Sequence, residues 1–168
     1  FALRKYNFDK IIFIPAYIPP HKNIDKALAE HRMNMVKLAI SNNPNFEVSD
    51  IEYTSEGKSY SLITVKKIIE KYNIKKPLNF IIGTDAFVNL ESWYKPDELK
   101  KLVHFIVFPR KCQLDEKIYK KFKANGWDFE IADFECIDIS STEIRKNSKG
   151  KTQNDVEDYI KKHELYKY

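Results

Sequence analysis

The chain has 168 residues, about one domain's worth at a soft prior of ~150 residues per domain, and enough to bury a core without disulfide staples. Four Gly and seven Pro exclude collagen-like or low-complexity material, and two Cys exclude a disulfide scaffold and offer no zinc-ligand spacing. Lys and Arg number 29 against 24 Asp and Glu, a net +5 that is spread along the chain. That charge suits a small anionic ligand better than a polybasic nucleic-acid face. The apolar runs are strand-sized, too short to span a bilayer. The expectation is a cytoplasmic protein with reduced thiols, with no nucleic-acid or membrane partner.

In chain order, Phe1–Tyr6 reads as the tail of a helix, and the start at Phe1 suggests either that a segment precedes it or that the N-terminus is frayed. Ile11–Ile14 is a strand. Ala27–Ile40 has helical spacing, with Leu28, Met35, Val36, Ala39 and Ile40 near one face, and Ser41–Pro44 stops it. A short strand begins at Phe46. Leu62, Val65, Ile69 and Tyr72 mark an amphipathic helix that Asn73 can end. Leu78–Ile82 is a continuous apolar strand followed by Gly83. Asp85–Leu90 and Pro96–Leu102 read as short helices, the second with Pro in its first turn. Val103–Phe108 is a strand, Glu116–Lys123 a helix and Trp127–Ile131 a strand. Ser140–Glu143 opens a helix as in a capping box, and Asp155–His163 is the last helix.

Apolar strands alternating with helices predict an α/β fold with a mostly parallel sheet, strands buried on both faces and helices on both sides. Ligands on such sheets bind beyond the carboxyl ends of the strands. The places to look are therefore Pro15 onwards, Gly83 onwards, Pro109 onwards and the segment near Ser140. Pro15–Lys22 is a proline-stiffened loop that presents His21 and Lys22, either to an anion or to solvent. Gly83 allows close backbone approach, and Asp85 either accepts from a ribose or caps a helix. Trp93–Tyr94 either stacks on a flat ring or plugs the core edge. Ile139–Arg145 (ISSTEIR) puts three hydroxyl residues at a helix start with an arginine one turn later, a phosphate site or an ordinary cap.

The ordered set P-x-x-x-P-P-H-K, E-H-R-x-x-M-x-x-L-A, G-x-S-Y, I-G-T-D, W-Y, I-S-S-T-x-I-R and V-x-x-Y-I-x-x-x-x-L-Y resembles the bacterial nicotinate-nucleotide adenylyltransferases over Asp9–Tyr166. The resemblance implies a Rossmann-like nucleotidyltransferase that joins ATP to nicotinate mononucleotide. It implies that Ser59, Tyr60, Ser61, Trp93 and Tyr94 bind nicotinate mononucleotide, with Trp93 stacked on the pyridine ring and Tyr94 and Ser61 holding the nicotinate carboxylate, largely through backbone N–H groups. Gly83 and Asp85 would line the ATP site, with Ile139, Ser140, Ser141, Thr142 and Arg145 around the nucleotide and its phosphates. His21, Lys22 and Arg145 would be catalytic. His31 and Arg32 read as structural, given the apolar helix around them. Mg²⁺ would enter mainly on the ATP phosphates.

The sequence departs from the family in three places. Ser61 stands where the family usually has Thr. R-P-G is reordered to Pro109-Arg110-Lys111, so no ATP contact is assigned to Arg110. The front signature G-G-[ST]-F-D-P-x-H-x-G-H is absent, on the order of 20 residues by typical element lengths. Residues 1–168 are therefore expected to be a single nucleotidyltransferase domain that is N-terminally incomplete. The alternatives are a phosphopantetheine-type adenylyltransferase of the same fold, an inactive nucleotide-binding fragment, or, against the interleaved charges, a nucleic-acid binder. A homodimer is left open.

Overall fold

A computed structural model of the chain describes residues 1–18, 26–54, 58–109, 115–135 and 153–166. Its elements are α1 (Ala2–Lys5), β1 (Ile11–Phe13), α2 (Lys26–Ile40), β2 (Phe46–Val48), α3 (Ser61–Lys71), β3 (Leu78–Gly83) and α4 (Thr84–Phe87). A 3-10 turn (Leu90–Ser92) follows, then α5 (Pro96–Leu99), β4 (Val103–Phe108), α6 (Glu116–Ala124), β5 (Phe129–Ile131) and α7 (Asn154–Lys162). They form two compact units, Phe1–Ser59 with Ile139–Tyr168, and Tyr60–Asp138.

In the first unit β1 and β2 pair in parallel, Ile11 opposite Phe46 and Phe13 opposite Val48. Helix α2 buries Ala29 and Met33, and α7, which packs on it, buries Val156 and Ile160. A polar contact fixes that packing: His31 Nδ1 lies 2.9 Å from the Tyr159 hydroxyl, which also accepts from Asn34 Nδ2 at 3.1 Å. Helix α2 stops where Ser41 bonds back to the Leu38 carbonyl, as the Ser41–Pro44 stop signal requires.

The second unit is a parallel sheet of order β3-β4-β5. Leu78 through Gly83 run opposite Val103 through Phe108, and Phe105 is opposite Phe129. An aromatic cluster fills its core: the Phe87 ring is 4.7 Å from those of Phe122 and Phe129, and Phe105 is 5.8 Å from Trp127. Asn73, at φ 49°, ends α3 in the left-handed region that Asn tolerates. Asp115 caps α6 by accepting from the Lys117 N–H.

The α/β class and the parallel pairing agree with the sequence reading. Several details differ. Strand β4 is buried on both faces, but β3 alternates, with Asn79 and Ile81 exposed on the face that the described residues leave uncovered. The expected Asp85–Leu90 helix breaks after Phe87 into a 3-10 turn, because Asn89 turns back to bond the Asp85 carbonyl. Helix α5 ends at Leu99 rather than Leu102, since the Leu102 carbonyl is taken by the Leu78 N–H at the start of β3. Trp127 precedes β5 and is a core residue, while the Asp128 carbonyl already accepts from Phe105. Among the described residues no helix is long and apolar enough to cross a membrane.

Candidate active site

Within the second unit the carboxyl ends of β3, β4 and β5 open on a cleft of about 510 Å³, lined among others by Thr84, Pro109, Tyr119, Ile131, Asp133 and Phe134. The floor is apolar: Phe134 meets Phe108 edge-on at 5.3 Å, and Ile131 and Tyr119 remain partly exposed above it. Asp133 supplies a carboxylate. This is where a parallel sheet binds its ligand, and an aromatic wall with a few polar groups suits a flat polar molecule. Gly83 ends β3, Thr84 is buried beneath the cleft, and Asp85 sits exposed in the first turn of α4. The sequence pointed to Gly83, Asp85 and the segment after Pro109. It gave no role to Tyr119, Asp133 or Phe134. Their only signal was position, on α6 or just past a short strand.

A second cluster joins residues 34 positions apart. The rings of Tyr60 and Tyr94 lie 4.6 Å apart, tilted by 31°. Tyr60 is the extended N-cap of α3, and no side chain caps that helix or places an acid in its first turn. Ser61 is thus the first residue of an eleven-residue helix, at its positive end. Trp93 is half-buried, packed against the core and edge-on to Phe80 at 6.3 Å. It is anchored on one side and accessible on the other. Lys95 follows at φ 49°, ψ 61°, a left-handed turn that swings the chain from Trp93-Tyr94 into α5.

Ser59 belongs to the first unit and has local partners there. Its Oγ accepts from the Ile18 N–H at 3.3 Å, and its own N–H donates to the Ile18 carbonyl at 2.9 Å. Arg32 holds the same loop, donating to the carbonyls of Ala16 at 2.6 Å and Tyr17 at 3.2 Å. The Tyr17 and Tyr53 rings lie 4.8 Å apart, and Tyr53 donates to the Ala29 carbonyl. Burial holds the Tyr53 hydroxyl above the usual phenol range, with Arg32 opposing. His31 and Arg32 therefore both make structural contacts. Arg32 also shapes the loop that leads to His21 and Lys22, a role that the pattern of apolar residues around it did not reveal.

His21, Lys22, Ile139, Ser140, Ser141, Thr142 and Arg145 lie outside the described residues, as do Arg110 and both cysteines. Among the described residues no group of three or more His, Cys, Asp or Glu side chains is placed to hold a metal ion.

Residues 1–147 match the model of the cytidylyltransferase-like family. A probable nicotinate-nucleotide adenylyltransferase of Caldicellulosiruptor saccharolyticus is 37% identical over 95% of this chain and 84% of its own. The nicotinate-nucleotide adenylyltransferase of Bacillus subtilis is 37% identical over 98% and 86%. A probable counterpart from Fusobacterium nucleatum is 40% identical over 90% and 78%. The fold is similar to that of Plasmodium falciparum nicotinic acid mononucleotide adenylyltransferase complexed with NaAD, at a TM-score of 0.74 and 22% identity over 94% of this chain and 82% of that one. Identity of this extent over nearly the whole sequence makes the chain a member of the nicotinate-nucleotide adenylyltransferase family, within the cytidylyltransferase-like nucleotidyltransferases.

Proposed function

We propose that the protein transfers the adenylyl group of ATP to nicotinate mononucleotide, releasing pyrophosphate and forming deamido-NAD in NAD biosynthesis. The observation that carries the acceptor is the contact of the Tyr60 and Tyr94 rings, whose chain neighbours are Ser61 and Trp93. It sets an aromatic surface beside an uncapped helix N-terminus, which suits a flat ring bearing a carboxylate. In this reading Trp93 stacks on the pyridine, and Ser61 and Tyr94 bind its carboxylate through backbone N–H groups. The phosphopantetheine alternative lacks a use for that pairing, since its acceptor presents neither a flat ring nor a ring carboxylate.

The reaction is an in-line displacement. An oxygen of the acceptor's 5′-phosphate bonds to the α-phosphorus of ATP, the bond to the bridging oxygen breaks, and pyrophosphate leaves with that electron pair. No proton need be removed from a phosphate already ionised, so positioning and charge stabilisation carry the catalysis. We assign the phosphates to His21, Lys22, Ser140, Ser141, Thr142 and Arg145, and the nucleotide to Gly83, Asp85 and Ile139. The divalent ion is Mg²⁺ that arrives as the MgATP substrate complex. The described residues build no cage of their own for it. Residues 1–168 act as one nucleotidyltransferase domain in this reading, in the cytoplasm, as a monomer or a homodimer.

The test is pyrophosphate release from ATP with nicotinate mononucleotide, nicotinamide mononucleotide and phosphopantetheine as rival acceptors. Turnover with nicotinate mononucleotide, and much less with the other two, is expected. Turnover only with phosphopantetheine, or with none of them, overturns the assignment.

A further inference from the structure

We propose that Glu98 is a positioning residue for the acceptor, tying the Trp93–Tyr94 turn to the middle of α3 through Lys95 and Lys66. This rests on the function proposed above and adds to it a residue outside the binding surface. The contacts form a closed circuit. Glu98 Oε2 bonds Lys66 Nζ on α3 at 2.7 Å, and Glu98 Oε1 lies 3.0 Å from Lys95 Nζ. Lys95 Nζ stands 5.6 Å from the centroid of the Tyr94 ring, and Tyr94 stacks back on Tyr60 at the head of α3. Lys95 is the one non-glycine residue of this turn at positive φ, a conformation that a side chain disfavours unless its surroundings hold it.

The two lysines are roughly half exposed, and so is Glu98. Pairs this exposed add little to global stability. Their joint effect is on position, because both oxygens of one carboxylate are occupied by cations from two segments, Lys66 on α3 and Lys95 directly after Tyr94. Those hydrogen bonds, from Lys66 first and then Lys95, also hold the Glu98 carboxyl below the usual range. A displacement of the Trp93–Tyr94 backbone moves the ring-stacking surface and leaves ATP binding and chemistry alone. That distinguishes this role from a general structural one.

The experiment is steady-state kinetics on wild type, Glu98→Gln, and Glu98→Gln with Lys95→Gly. Glu98→Gln is expected to raise KM for nicotinate mononucleotide about three- to tenfold, with kcat and KM for ATP within about twofold. Glycine takes φ near 49° without an anchor, so the double variant is expected to return KM to within about twofold of wild type. An unmoved acceptor KM, an equal rise in both KM values, or a double variant as impaired as the single one overturns the proposal. A wild type that uses no pyridine mononucleotide overturns it together with the substrate assignment, whereas wild-type turnover with an unmoved KM overturns the role of Glu98 alone.

Discussion

The Tyr94 and Tyr60 rings lie 4.6 Å apart, tilted by 31°, where the segment after β3 meets the head of α3. Aromatic pairs of this kind add about 0.5–1.5 kcal/mol beyond the area they bury. Tyr94→Ala is therefore expected to raise acceptor KM about three- to tenfold, while Tyr94→Phe keeps the ring and stays near wild type. Trp93→Ala removes the proposed stacking surface itself and should lower kcat/KM for the acceptor about 10- to 100-fold, with Trp93→Phe intermediate. Titrating nicotinate mononucleotide against initial rate at fixed ATP decides both.

The fold class was legible because the strands are apolar and the helices between them periodic. Leu78–Ile82 and Val103–Phe108 needed no more than their own residues. Ile81 misled for the same reason: an apolar side chain reads as buried wherever it stands, yet it is 38% exposed here. The residues proposed for the acceptor, Trp93-Tyr94 and Tyr60-Ser61, were read from ordered motifs. That Tyr60 and Tyr94 touch is tertiary and could not be read. Lys95 and Glu98 look like ordinary surface charges in sequence, since neither a left-handed φ nor a shared carboxylate leaves a pattern. The same holds for Arg32, whose hydrogen-bond acceptors are backbone carbonyls of Ala16 and Tyr17 and so carry no side-chain signature.

Phe87 shows no exposed surface and sits between Phe122, Phe129 and Phe105. It is also the last residue of α4, directly below Thr84 and Asp85. Phe87→Ala leaves a cavity that such a sheet-bound cluster cannot collapse, and costs about 3–5 kcal/mol. Phe87→Leu keeps much of the volume and should cost less than half of that. Urea unfolding at constant m-value measures both.

Arg32 donates two charge-assisted hydrogen bonds to successive carbonyls of the loop after β1. Arg32→Ala leaves those carbonyls to water and releases the approach to His21 and Lys22. The expected result is a fall in kcat of about tenfold with acceptor KM little changed, because the acceptor surface at Trp93 is built from other contacts. Arg32→Lys replaces a fork by a single ammonium and should recover only part of the loss. A kcat for Arg32→Ala equal to wild type would remove the loop from the catalytic machinery.

Three surface carboxyls, Glu91, Asp97 and Glu98, are held below their ordinary values, chiefly by hydrogen bonds from Lys121, Lys100 and Lys66 respectively. A carboxyl whose folded value is depressed stabilises the fold above its unfolded value and loses that contribution as pH falls through the folded one. For the two glutamates the loss begins near their ordinary value of 4.5 and grows below it. The melting temperature is thus expected to be insensitive to these groups above about pH 5 and to fall on further acidification. Glu91→Gln removes the charge that pairs with Lys121 and should shift Tm by no more than about 2 °C at neutral pH, the scale of an exposed pair. The discriminating measurement is Tm from pH 3 to 6, where Glu91→Gln should flatten the acid slope. An unchanged slope would mean that Glu91 titrates alike in the folded and unfolded chains.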